Sequence, residues 1–342
     1  MAAPWRGSQN RFVIQVDGLC KVYRVPEKSL GLAGSVRSLW RRRYRQVPAV
    51  QELSFRIEAG ERVGFLGPNG AGKTTTLKML SGLLKPTGGR LSVAGFEPFR
   101  RHPDFLRRIT LVMGQKQQLL WDLPAAETFE LNRALFDLEA TSYRATLAEL
   151  IELLQLEPLL QRPVRNLSLG ERMKCELAAA LLHKPDILFL DEPTIGLDVT
   201  MQEAVRSFVA EWNERQGATV LLTSHYMADI AALCSRVLVI AGGRLRFDGA
   251  LDELVERYAP DRRIRVRTTQ PVNRATAAAA GPFLPVQGGC EALVPGHQVK
   301  EIVHKALLHL PVRDLVVEEA PLEDVIRRLF EQEKESHGKP GS

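Results

Sequence analysis

The stretch GPNGAGKTT, Gly67 to Thr75, limits the possible folds of this chain more than any other part of it. It fits the pattern G-x-x-x-x-G-K-[ST], with the apolar run Arg62–Leu66 before it and the helix-like run TTTLKMLSGLL after it. A buried strand, a glycine-rich turn and a helix, in that order, make a phosphate loop within an α/β sheet. Glycines let backbone N–H groups close around an anion at a helix N-terminus, where the helix dipole favours negative charge. Lys73 then reaches the β- and γ-phosphates, and the Thr74 hydroxyl holds Mg²⁺. Gly67, Pro68, Asn69, Gly70, Ala71, Gly72, Lys73, Thr74 and Thr75 are the expected nucleoside triphosphate site.

Further polar residues end apolar strands. DILFLDEP sets Asp191 at the carboxyl end of a buried strand, where α/β sheets hold ligands. A buried carboxylate needs a partner, and phosphate-bound Mg²⁺ supplies one. Glu192, the next residue, is placed to polarise an attacking water. LLTSHYMAD ends a strand on Ser224–His225, where a neutral imidazole can bond a γ-phosphate oxygen or the water. RRITLVMG leads to Gln115, whose amide can touch Mg²⁺ and the water, with Gln117 and Gln118 as nearby alternatives. A second anion-binding turn, NLSLGERMK from Asn166 to Lys174, heads another helix. One chain therefore carries two phosphate-type turns.

A β-type opening runs from Arg11 to Val25, after a flexible tail over 1–10, and a loop-like arginine-rich insert covers 26–48. Apolar strands alternating with helices then point to an α/β domain with a mainly parallel sheet. Residues 115–165 read as an inserted helical subdomain, in which Leu147, Ile151 and Leu154 share one face. From 259 to 330 the pattern becomes a small α+β module, followed by a disordered tail over 331–342.

Net charge is +6, which permits an anionic partner without selecting one. Cys20, Cys175, Cys234 and Cys290 are scattered without metal-ligand spacing, which argues for a reducing compartment and against zinc. Cys175 and Cys234 lie in apolar segments and read as small core residues. The N-terminus lacks the apolar run of a signal peptide, and no apolar stretch is long enough to span a bilayer. The expectation is a soluble or peripheral protein.

The ordered set GPNGAGKTT, MGQKQQ, LSLGERMK, ILFLDEPTIGLD and LLTSHYMAD closely resembles the ATP-binding subunits of ABC transporters. The likeness covers roughly residues 11–258, and SLGER with DEPTIGLD looks most like bacterial ABC-2 export subunits. It implies a P-loop ABC cassette with a mainly parallel core sheet, an antiparallel β part and a helical subdomain, followed by a small C-terminal α+β domain. It also implies ATP and Mg²⁺ as ligands and ATP hydrolysis coupled to transport. Gln115 then corresponds to the Q-loop, Leu167–Glu171 to the signature, Asp191 and Glu192 to the Walker B pair, Asp198 to the D-loop and His225 to the switch. The adenine-stacking aromatic falls on Tyr23, with Trp40 and Tyr44 as weaker candidates. Family members form head-to-tail dimers, so Ser168 and Gly170 would grip the γ-phosphate held by a second ATP-binding subunit, a copy or a close relative. The second turn serves the neighbour's phosphate.

This signature departs from the common L-S-G-G-Q at Leu169 and Glu171. Leu169 holds the turn without strain only with a negative φ, and Glu171 suits the helix dipole but not a facing phosphate. The expected partners are integral membrane permease subunits. The basic stretch 29–45, with Arg37, Arg41, Arg42, Arg43 and Arg45 beside Leu39, Trp40 and Tyr44, suits an anionic membrane surface or a solvated loop. Nucleic acid is a poorer fit to it. The rival readings are a soluble ABC-type ATPase of translation or DNA repair and a non-hydrolysing regulatory subunit. Neither a second cassette nor a long coiled coil supports the first, and the presence of Lys73, Glu192 and His225 weighs against the second.

Overall fold

The computed structural model describes residues 11–26, 44–319 and 321–337. The expectations for residues 1–10, for Arg37 through Arg43 and for 338–342 lie outside the described residues. The chain divides into two compact units, 1–249 and 250–342.

In the first unit, β1 (Phe12–Pro26) pairs antiparallel with β2 (Tyr44–Glu58) and with β4 (Gly88–Val93). Ile14, Val16 and Leu19 point into the core, and the register slips after Val16, where Gly18 takes φ 59°. The pairing continues out to Pro26 opposite Tyr44. Residues 44–48 are thus strand, where a loop was expected from 26 to 48. Both arms are exposed there, so no apolar alternation marks them in the sequence.

The main sheet has the order β5-β6-β7-β3-β8-β9. Its strands are β3 (Arg62–Leu66), β5 (Ile109–Met113), β6 (Ile187–Asp191), β7 (Thr219–Thr223), β8 (Arg236–Ala241) and β9 (Arg244–Ala250). The pairs β5–β6, β6–β7, β7–β3 and β3–β8 are parallel. Their runs are buried on both faces, as covered parallel strands require. Phe65, Leu77, Phe189, Leu221 and Leu238 join Ile14 and Leu53 in one core.

Helix α1 (Lys73–Leu80) follows β3, and the short α2 (Pro103–Leu106) precedes β5. The helical insertion contains α3 (Ala125–Leu135) and α4 (Ala140–Leu154), and leads to α5 (Leu169–Leu181). Helix α4 buries Tyr143, Thr146, Leu150 and Leu154, while Leu147 and Ile151 are only half-buried. The expected face is therefore shifted, because α4 packs against both α5 and α6 (Val199–Gln216). Helix α7 (Met227–Leu233) lies between β7 and β8. Cys175 and Cys234 are buried, and burial pushes each thiol up to about 12.

The second unit begins with α8 (Leu251–Tyr258), which packs on α11 (Leu322–His337). That contact moves the division to Gly249, ahead of the border expected after Tyr258. A four-stranded sheet has the order β11-β12-β10-β13, from β10 (Asp261–Thr268), β11 (Leu284–Val286), β12 (Gly289–Pro295) and β13 (Val312–Glu319). Ile264 and Val266 sit opposite Ala292 and Cys290, and α9 (Arg274–Ala279) and α10 (Val299–His309) close that core with Ala277, Ile302 and Ala306. Helix α11 reaches His337, so residues 331–337 are helical rather than disordered. EQEKESH holds no helix breaker before Gly338.

Candidate functional site

Because β3, β5, β6 and β7 run parallel, their carboxyl ends share one edge of the sheet. Met113, Asp191 and Thr223 stand level in register there. The glycine loop leaves β3 at this edge. Gly72 has φ 107°, and a Cβ on it would lie 2.5 Å from the Ala49 carbonyl oxygen. At Gly67 a Cβ would run into the Ile240 carbonyl. Both positions admit only glycine. Lys73 is buried and its Nζ donates to the carbonyls of Gly67 at 2.6 Å and Pro68 at 3.2 Å. Desolvation lowers its pKa, and the nearby Glu192 and Asp191 charges oppose that shift.

Asp191 Oδ1 accepts from Thr223 Oγ1 at 2.7 Å and from Thr74 Oγ1 at 3.3 Å. The first threonine of the loop's Thr74–Thr75 pair and the strand-end carboxylate thus converge. Glu192 follows with φ 55°, and its N–H donates to the Thr223 carbonyl at 3.0 Å. This left-handed backbone is costly for a residue with a side chain. It turns Glu192 toward His225, whose Nε2 lies 2.7 Å from Glu192 Oε1. Glu192 Oε2 is buried and has no hydrogen-bond partner among the described residues. Gly114 closes the back of this turn, since a Cβ there would collide with the Glu192 carbonyl.

Gln115 is exposed, and the contact it brings is indirect: the Gly114 N–H donates to the Asp191 carbonyl at 2.9 Å. Gln118 turns away and donates to the Leu111 carbonyl at 2.7 Å. Tyr23 lies opposite Val47, two residues along β2 from the Ala49 carbonyl that faces Gly72, with Lys21 Nζ 5.4 Å from its ring. Tyr44 sits further out, opposite Pro26. Ser168 caps α5, and Leu169 enters the helix without a left-handed φ. Gly170 packs on Met201, where a Cβ would approach within 2.6 Å of Cε. Asp198 caps α6 by accepting the Met201 N–H at 2.9 Å. No hydrogen bond among the described residues links Ser168 or Gly170 to the Gly67–Thr75 loop.

Thr223 went unnoticed in the sequence. Its only signal is its place at the end of an apolar run beside Ser224 and His225. No group of three or more His, Cys, Asp or Glu among the described residues suits a metal. The convergent Thr74 hydroxyl and Asp191 carboxylate instead fit Mg²⁺, which takes one or two protein oxygens and completes its shell with phosphates and water.

The family model for ABC transporters matches residues 50–195. The ABC transporter ATP-binding protein NatA of Bacillus subtilis is 37% identical over 210 residues, 61% of this chain and 85% of that protein. The chain belongs to the ABC transporter family, as an ATP-binding subunit. Nod factor export ATP-binding protein I of Burkholderia orbicola is 40% identical over 219 residues, covering 63% of this ABC subunit and 70% of the relative. Daunorubicin resistance ATP-binding protein DrrA3 of Streptomyces coeruleorubidus is 39% identical over 225 residues, with 65% and 69% covered. A solved structure of an ATP-binding subunit of an ABC transporter superposes with a TM-score of 0.59 at 24% identity, over 72% of this subunit and 93% of that chain. That likeness establishes the cassette fold.

Proposed function

We propose that this subunit closes with a second ATP-binding subunit around two ATP molecules and powers a separate membrane permease, an exporter. Its family membership and its export relatives support this reading. Among the described residues no helix is long and apolar enough to cross a membrane, so the reading assigns the crossing path to another polypeptide. The subunit then works against the cytoplasmic face of that membrane. The stretch proposed to meet anionic lipid, 29–45, lies outside the described residues except for Tyr44 and Arg45.

The observation that carries the catalytic assignment is the Glu192 carboxylate. His225 engages one oxygen, and the other has no hydrogen-bond partner among the described residues, which leaves its lone pairs to take a water proton. Glu192 takes a proton from water as the water oxygen attacks the γ-phosphorus. The bond from that phosphorus to the β,γ-bridging oxygen breaks, and the leaving ADP keeps the electron pair. His225 holds Glu192 in line and faces the γ-phosphate. Lys73 and the N–H groups of the Gly67–Thr75 loop hold the β- and γ-oxygens, Tyr23 stacks on adenine, and Ser168, Gly170 and Asp198 act from the opposing subunit. Thr74 and Asp191, joined by Gln115, would hold Mg²⁺, which would supply positive charge against that developing on the phosphates.

Coupling to the permease fits the surface next to Gln115. Leu120, Trp121 and Leu123 are exposed, as are Leu131 and Leu135 of α3. The Trp121 and Leu123 carbonyls accept the N–H groups of Arg165 and Val164, which lie just before the signature. A push on this apolar ledge therefore reaches Ser168 through backbone.

The test uses the Glu192→Gln variant. It should bind ATP normally, lose nearly all steady-state turnover, and retain a multi-pass membrane protein when captured from native membranes with ATP and Mg²⁺. Turnover near that of the unmodified chain removes Glu192 from its role. Co-purifying ribosomes or repair proteins would overturn the transporter assignment.

A further inference from the structure

Behind the Glu192–His225 pair lies a carboxylate that the mechanism above leaves unused. Asp229, in the first turn of α7, is wholly buried, yet it receives hydrogen bonds from three directions. Thr194 Oγ1 donates to its Oδ2 at 2.5 Å, and Ser224 Oγ donates to the same oxygen at 2.6 Å. Arg206 Nη1 reaches in from α6 and donates to Oδ1 at 2.9 Å. Ser224 Oγ in turn accepts the Tyr226 N–H at 3.0 Å.

The donors are placed on the segments that matter. Thr194 stands two residues after Glu192, and Ser224 immediately precedes His225. One carboxylate oxygen thus joins the exit of β6 to the exit of β7. Arg206 adds the helix that Asp198 caps, so the segment proposed to face the opposing subunit belongs to the same cluster. Both hydroxyls and Arg206 donate to this buried carboxylate, so a neutral amide in its place would remove the charge facing Arg206 and force the Thr194 and Ser224 hydroxyls to turn from donors into acceptors. Glu192 cannot hold its own position through backbone preference, since its φ of 55° is unfavourable. Something outside it must fix the turn.

We infer that Asp229 is a positioning residue for ATP hydrolysis, tying the Thr194 and Ser224 hydroxyls together so that His225 stays on Glu192. This rests on the assignment of Glu192 and His225 made above. Asp229 is wholly buried and acts through the pair.

The test is a double-mutant cycle on the full-length chain, read by single-turnover hydrolysis with enzyme in excess, by fluorescent-ATP affinity and by thermal melting. Asp229→Asn should slow hydrolysis about 10-fold or more with ATP affinity within about 2-fold, and add less than about 2-fold in a His225→Ala background. Unchanged hydrolysis in Asp229→Asn, or the same fold loss in both backgrounds, overturns the proposal. Should Asp229→Asn not fold because Arg206 loses its counter-charge, Thr194→Val removes one donor and keeps the ion pair. The same cycle then decides. Glu192→Gln separates the two ideas: a fully active Glu192→Gln sinks the catalytic assignment itself. An inactive Glu192→Gln beside a fully active Asp229→Asn sinks only the positioning role.

Discussion

The Glu171 carboxylate accepts the Ser168 N–H at 2.7 Å, while the Ser168 hydroxyl accepts the Glu171 N–H at 3.2 Å. This reciprocal capping box starts α5 and accounts for one departure from the common signature. Glu171 is turned back onto its own helix start and onto Arg162 at 3.0 Å, so it satisfies local donors first. Its carboxyl is held below the usual range, chiefly by the Ser168 N–H. Ser168 consequently has two tasks, a cap in its own subunit and a proposed grip on the neighbour's phosphate.

The two tasks separate by substitution. Ser168→Ala removes hydroxyl and cap, costing about 1 kcal/mol of stability, whereas glycine at a cap costs only about a few tenths. Both Ser168→Ala and Ser168→Gly should weaken ATP-dependent dimerisation about 10-fold, the loss of one charge-assisted hydrogen bond. Light scattering in the Glu192→Gln background, beside calorimetry, reads both quantities. Dimerisation that merely followed melting temperature would remove Ser168 from the interface.

In the phosphate loop, Gly70 and Gly72 provide a matched pair. Both have positive φ, but a Cβ at Gly70 meets nothing within 4 Å, whereas at Gly72 it meets the Ala49 carbonyl. Gly70→Ala should cost about 1–2 kcal/mol of backbone strain. Gly72→Ala should further displace the loop from β2 and lower ATP affinity more than about 10-fold beyond Gly70→Ala. Equal affinities in a nucleotide titration would show that β2 does not shape the loop.

Much of this site was legible because the pairs Asp191–Glu192 and Ser224–His225 end strands with apolar interiors, and a parallel sheet gathers such ends on one edge. Register then brings Thr223 onto Asp191, which no local pattern announces. The Asp229 cluster was not legible: Thr194, Arg206 and Asp229 are ordinary polar residues of a loop and two helices until the fold joins them. Tyr44–Pro48 hid for the opposite reason. That strand is exposed on both faces and carries no alternation, so composition reads it as loop.

Trp121 tests the coupling surface. It is 45% exposed in the free subunit, so Trp121→Ala removes little core packing and should leave melting within about 1 kcal/mol of the unmodified chain. ATP turnover by the isolated subunit should persist. Capture of the membrane partner should fall about 10-fold or more, as at a buried aromatic anchor of an interface. Undiminished capture would place the permease elsewhere.

Glu176 sets a pH dependence. It is buried in α5 with Arg172 3.7 Å away, and its Oε2 finds no partner among the described residues. Burial pushes its carboxyl up to about 7, against the pull of Arg172. With the folded value above the unfolded one, its contribution to stability is fully present below the unfolded value. That contribution is lost as pH rises through about 7, when folding must bury a charge that the unfolded chain leaves in water. The size follows from about 1.4 kcal/mol per pKa unit, an upper bound of about 3 kcal/mol. Glu176→Gln should accordingly raise stability at pH 8 by about 1–3 kcal/mol and change it little at pH 4. Urea unfolding at both pH values measures the difference. A gain equal at both would mean that the carboxyl does not titrate on folding, and that Arg172 holds it ionised throughout.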